Sequence, residues 1–124
     1  MSECGCIYPE FEGDPPTFIR TRTVRARKTH ACSECGDPIA AQSSFEHVAA
    51  KWDHGFLSFT TCLTCVEIRT LLFCDAWSYG GLWKDIRAHF AMGGNPLGCI
   101  KKLETVAAKE KLAASYREYL ELEP

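Results

Sequence analysis

Three runs of this chain are rich in strand-forming residues, and three others carry apolar residues at helical spacing. From Thr17 to Arg25 the residues Phe18, Ile19, Thr21, Thr23 and Val24 favour a strand, with Arg20 and Arg22 on one face of its pleat. Its charges predict an edge strand. Phe45 to Trp52 and Phe56 to Thr61 are two further runs, separated by Asp53-His54-Gly55, a hairpin loop with glycine where positive φ is needed. After the hairpin, Val66, Ile68, Arg69, Leu71, Leu72 and Phe73 predict a short helix, and Tyr79-Gly80-Gly81 breaks it. Leu82, Trp83, Ile86 and Phe90 form an apolar stripe, so Leu82 to Met92 reads as an amphipathic helix that Gly93-Gly94-Asn95-Pro96 ends. A last helix is expected from Ile100 to Glu121, with Leu103, Val106, Ala107, Leu112, Ala113, Tyr116 and Leu120 available for one packed face. Residues 1–16 are rich in turn formers and acids and read as an irregular arm.

This pattern divides the chain into an acidic arm (1–16), a central domain with its following helix (17–98), and a C-terminal helix packed on that domain (99–124). With 124 residues, 46% of them apolar, one globular domain fits and wholesale disorder is excluded. Met1 to Pro16 holds Glu3, Glu10, Glu12 and Asp14 without a Lys or Arg, unlike a secretory signal, and no apolar run approaches a membrane span. The expectation is a soluble, cytoplasmic protein without a membrane partner. Fourteen Lys and Arg against 16 Asp and Glu leave a formal net charge of −2, which argues against a freestanding nucleic-acid binder, so any basic function must be local. Arg20, Arg22, Arg25, Arg27 and Lys28 are nevertheless consecutive charges with no acid among them.

Eight cysteines are the feature that most needs a chemical explanation. Cys32-x-x-Cys35 and Cys62-x-x-Cys65 stand 26 residues apart, the two-pair arrangement of a structural tetrahedral zinc site. Two intervening residues let a tight turn aim both sulfurs at one ion while backbone N–H groups donate to the thiolates, and Gly36 can take the left-handed angles that finish the turn. Cys65 would sit in the first turn of a helix, where the dipole favours the thiolate. A redox pair, an iron–sulfur cluster or two disulfides are the alternatives, and disulfides are disfavoured by the expected cytoplasm, where thiols stay reduced. A redox pair would sit on a single strand-to-helix turn, and the spacing matches neither common ferredoxin run.

The order knuckle, hairpin, second cysteine pair, helix resembles a treble-clef zinc finger over residues 32 to about 73. More narrowly, Ala26-Arg27-Lys28-x-His30-x-Cys32-x-x-Cys35-Gly36, the hairpin, Thr61-Cys62-x-x-Cys65 and Gly80-Gly81-Leu82-Trp83 resemble small, mostly uncharacterised bacteriophage and prophage proteins over residues 26–90. The resemblance implies a treble-clef core and an origin in a phage or other mobile element; with the N-terminal arm, edge strand and two C-terminal helices read from the residue pattern, the expected fold is α+β. It implies no reaction.

Cys4, Cys6, Cys74 and Cys99 remain. Cys4 and Cys6 can project to one side of an extended arm, so these four, with His89 as a substitute ligand, are a candidate second zinc site. The alternative is that they are small buried apolar side chains or free thiols. One zinc is expected, and two are compatible with the spacing.

Catalysis finds little support. Asp53-His54 superficially resembles the catalytic histidine of treble-clef nucleases, but further polar ligands are missing, and a four-cysteine zinc is closed to substrate. His30 and His47 are expected to make ordinary hydrogen bonds. The favoured expectation is a nonenzymatic module that binds a host or phage protein, as a modulator or inhibitor of a host complex, through Phe56, Phe59, Trp77, Tyr79 and Trp83. The alternative is nucleic-acid binding through Arg20, Arg22, Arg25, Arg27 and Lys28.

Overall fold

The structure is a computed structural model that describes residues 4–9, 15–53, 55–74 and 76–122. The chain mixes an antiparallel sheet with helices and groups into two compact units, one of residues 10–66 and one of residues 1–9 with 67–124.

In the first unit, β1 (Phe18–Arg25), β4 (Ser44–Trp52) and β5 (Gly55–Cys62) form a three-stranded sheet in the order β1-β4-β5. β1 is an edge strand, as its charges predict, and β4 is the central one. Val48 and Ala50 on β4 are fully buried, which central placement and β-branched or small side chains favour. Between β1 and β4 lies a second, two-stranded ribbon of β2 (His30–Ala31) and β3 (Pro38–Ile39), which brackets the first cysteine pair. The hairpin closes at Trp52 opposite Gly55, and Gly55 takes φ +138°, a conformation that favours glycine. His54 lies outside the described residues.

In the second unit, α1 (Leu63–Leu72) contributes its residues from Glu67 onward, followed by α2 (Leu82–Ala91), α3 (Leu97–Lys102) and α4 (Val106–Leu122). Leu82, Ile86 and Phe90 of α2 are buried at four-residue spacing, each burial stabilising by about 1.5–3 kcal/mol. Phe90 meets Tyr116 edge-on at 5.0 Å and Tyr119 at 5.6 Å, so aromatic packing holds α4 to α2. The Arg87–Glu118 pair at 3.6 Å is exposed at both ends and adds little.

The expected single C-terminal helix is two helices, so among the described residues three helices follow α1 rather than two. Leu103 is extended, with ψ 144°, and its buried side chain ends α3. Thr105 then caps α4, its Oγ1 accepting from the Ala108 N–H at 3.1 Å. The packed face of α4 also differs from the expected stripe. Ala108 and Leu112 are buried, while Val106 and Leu120 are exposed.

Candidate metal centre

The first cysteine pair is positioned by a turn. The β2–β3 ribbon brings Cys32 and Cys35 into a tight loop in which the Gly36 N–H donates to the Cys32 carbonyl at 2.9 Å, and Gly36 takes φ +78°, as its place after the pair predicts. The second pair is positioned by a strand-to-helix junction. Cys62 ends β5 and Cys65 lies in the first turn of α1, where its N–H donates to Cys62 Sγ at 3.5 Å. Ser33 fastens the knuckle to β5. Its N–H donates to the Thr60 carbonyl at 2.6 Å, and its Oγ accepts from the Thr60 N–H at 2.9 Å.

These elements bring the sulfurs of Cys32, Cys35, Cys62 and Cys65 within 4.8 Å of one another. Cys32 lies 4.0 Å from Cys65, and Cys35 lies 3.9 Å from Cys62. Tetrahedral coordination with metal–sulfur bonds of about 2.3 Å spaces sulfurs roughly 3.8 Å apart, so the cluster could hold a metal ion and its dimensions suit zinc. Backbone donors are already aimed at the anionic state, since Glu34 and Cys62 both donate N–H groups to Cys32 Sγ at 3.4 Å.

The electrostatics point the same way. Side-chain hydrogen bonds from Cys62 and Cys65, helped by backbone N–H groups, hold the Cys32 thiol far below its ordinary pKa despite partial burial. Cys62, which keeps its proton beside that sulfur, is pushed up to about 11. Four thiols this close resist ionising together, because the first negative charge opposes the next. A bound dication removes that opposition and takes all four as thiolates.

The other four cysteines are also brought together, in a different chemical state. Cys4 is joined to Cys99 and Cys6 to Cys74 as disulfides, with Cα–Cα distances of 4.7 and 5.6 Å. A sulfur in a disulfide is neutral and is not the thiolate ligand that a second zinc site needs. Nor are these cysteines free thiols in this structure, and both linkages depart from the expectation that the thiols stay reduced. Ile7 is buried and its N–H donates to the Leu72 carbonyl at 2.8 Å, which seats the arm beside the Cys6–Cys74 linkage. His89 lines a cavity of about 300 Å³ together with Gly5, Ile7 and Cys99.

The basic segment is divided by the alternation of β1, and the sheet register sets what lies beside each part. Cross-strand partners share a face, so four rows stack on one side of the sheet. They are Phe18–Lys51–Phe56, Arg20–Ala49–Ser58, Arg22–His47–Thr60 and Val24–Phe45–Cys62. Arg20, Arg22 and Lys51 are exposed on it, as are the rings of Phe18 and Phe56 at 54% and 69%. Lys51 Nζ lies 5.4 Å from the centre of the Phe56 ring. No carboxylate occurs among these twelve register partners. Arg25 pairs with Ser44 and points to the opposite face, while Arg25, Arg27 and Lys28 line a cleft of about 500 Å³ beside His30 and Phe45, whose rings are 5.1 Å apart.

Lys51, Phe18 and His47 are absent from the basic set read along the sequence. The hairpin alone places Lys51 beside Phe56, a signal available from alternation, but β1 reaches them only through a long-range pairing. Among the aromatic residues expected as protein anchors, Trp77 and Tyr79 lie against the buried Arg69 guanidinium, at 4.3 and 5.8 Å from their ring centres. No protein-family model, no curated protein and no solved structure matches this chain.

Proposed function

We propose that this chain is a nonenzymatic, zinc-stabilised module of treble-clef type that binds single-stranded nucleic acid across the open face of its sheet. The observation that supports this is the row pattern of that face: three exposed cations, two exposed aromatic rings and hydroxyl side chains, with no carboxylate among them. Cations suit the phosphate chain, and exposed rings suit unpaired bases, since every base presents a π face. From Phe18 to Val24 the face runs about 20 Å, long enough for several nucleotides. The cleft that Arg27 and Lys28 line shares Val24 and Phe45 with this face.

Zinc in this reading is structural. With four protein sulfurs around it the ion keeps no open position for water or substrate, and it holds the knuckle against β5 so that the sheet face is rigid. An origin in a phage or mobile element rests on the sequence resemblance alone.

Fluorescence anisotropy with a labelled oligothymidine, the matching RNA and a duplex of equal length tests the proposal. Binding should favour the single strands, and log affinity should fall with log salt at a slope of about −2 for three phosphate contacts. Arg20→Ala with Arg22→Ala should weaken binding at least tenfold. Phe56→Ala should cost about 1–3 kcal/mol, the value of one stacked base. Metal content and circular dichroism establish that each variant is folded. Absence of binding to any of the three at low salt sinks the proposal, and retention of a stoichiometric host protein in its place would favour the protein-binding alternative.

A further inference from the structure

We propose that Cys4, Cys6, Cys74 and Cys99 are a redox-gated second zinc site: two disulfides when oxidised, four thiolates around one ion when reduced. All four belong to the same compact unit, and each cysteine of the arm already faces one partner from the helical region, Cys99 or Cys74. Only Gly5 separates Cys4 from Cys6, so their Cα atoms stand at most about 7 Å apart, and both linkages converge on one tripeptide.

A tetrahedral zinc needs four sulfurs roughly 3.8 Å apart; Cα–Cα distances of 4.7 and 5.6 Å hold the sulfurs of each pair close, and reduction followed by a shift of the arm would bring the two pairs onto one ion. The surroundings permit that shift. Nothing lies within 4 Å of the place a Gly5 side chain would occupy, so there is open space on that side of the residue between the two arm cysteines. Cys99 borders a cavity of about 300 Å³ that Gly5 and His89 also line, so a nitrogen donor lies on the same wall as one of the four sulfurs. Cys74 is exposed, which admits a small reductant or oxidant.

The interconversion balances without a further cofactor. Two molecules of a small-molecule disulfide oxidise the four thiolates, taking up four electrons and leaving as four small thiolates, while two protein disulfides form and Zn²⁺ is released. A thiol or phosphine reductant, with zinc present, reverses it. Either state ties the arm to the helices, by covalent bonds under oxidising conditions and by the metal under reducing ones. The cluster of Cys32, Cys35, Cys62 and Cys65 keeps its own ion and serves as the internal reference, so the outcome is independent of nucleic-acid binding.

Native mass spectrometry of the full chain tests this. Protein refolded with zinc under a phosphine reductant without oxygen should carry two zinc ions. After treatment with a small-molecule disulfide it should carry one, with its protein mass lower by about four hydrogens. The double variant Cys4→Ser, Cys6→Ser should hold one zinc under both conditions. Cobalt titration of the reduced wild type should saturate at two equivalents with thiolate charge-transfer absorption, and that of the variant at one. Reduced wild-type protein that binds a single metal ion while four thiols react with an alkylating agent would overturn the proposal.

Discussion

At Gly36 a single hydrogen atom in place of a side chain sets the turn on which the metal centre depends. Its φ of +78° lies where L residues with a side chain are strained, yet no atom lies within 4 Å of the position a Cβ would take. Replacement by alanine therefore costs backbone conformation and no steric clash. Gly36→Ala should destabilise the metal-loaded chain by about 1–2 kcal/mol in denaturant unfolding and speed transfer of zinc to a colorimetric chelator. Cys35→Ser acts differently, since it removes a ligand: the variant should lose the zinc of this centre altogether by mass spectrometry. A Gly36→Ala protein as stable as the wild type would show that the knuckle tolerates another turn. Both residues are recognisable in the sequence, because turn chemistry is local and extends over only a few positions.

The break between α3 and α4 is an element-scale device that depends on a side chain far away in sequence. Glu67 of α1 accepts hydrogen bonds from the Glu104 and Thr105 N–H groups at 2.6 and 3.2 Å and from the Thr105 hydroxyl at 2.7 Å. Desolvation acts to raise the Glu67 pKa, but the Thr105 hydroxyl, the two N–H groups and Lys109 outweigh it, and the net shift is downward. A carboxylate with a lowered pKa adds stability above its ordinary titration range, and that stability is lost as pH falls through the lowered value. The wild type should therefore exceed Glu67→Gln in thermal stability at neutral pH, with the difference shrinking in acid. A difference independent of pH would assign the effect to shape rather than charge. Thr105→Ala, which removes the cap, should cost about 1 kcal/mol on the helical transition. Periodicity over residues 100–121 does not reveal this break, because the partner that stabilises it comes from residue 67.

For the molecule as a whole, the two compact units differ in what holds them. Residues 10–66 bury few large side chains and enclose the four-thiol cluster, whereas the helical unit buries Ile68, Leu72, Phe73, Leu82, Ile86, Phe90 and Leu112. Small units commonly need a metal or cross-link to offset chain entropy. Stripping the ion with a strong chelator should therefore remove amide-exchange protection from residues 18–62 while residues 82–122 keep theirs. Uniform loss across both would show that they fold as one cooperative body. Among the described residues no helix is long and apolar enough to cross a membrane.

The sequence by itself determined what short-range chemistry controls. The edge strand, the hairpin with Gly55 at its turn, the two helix starts after Cys62 and Gly81, and the four sulfurs of the metal cluster follow from alternation, turn residues and ligand spacing within a few dozen positions. Tertiary structure alone decided the rest. The register of β1 against β4 and of β4 against β5 brings Lys51 and Phe56 onto the face that carries Phe18, Arg20 and Arg22. The pairing of Cys4 with Cys99 and of Cys6 with Cys74 spans 95 and 68 residues, and four cysteines admit three pairings that sequence cannot rank. In each case the deciding contact joins segments whose distance along the chain carries no information about their distance in space.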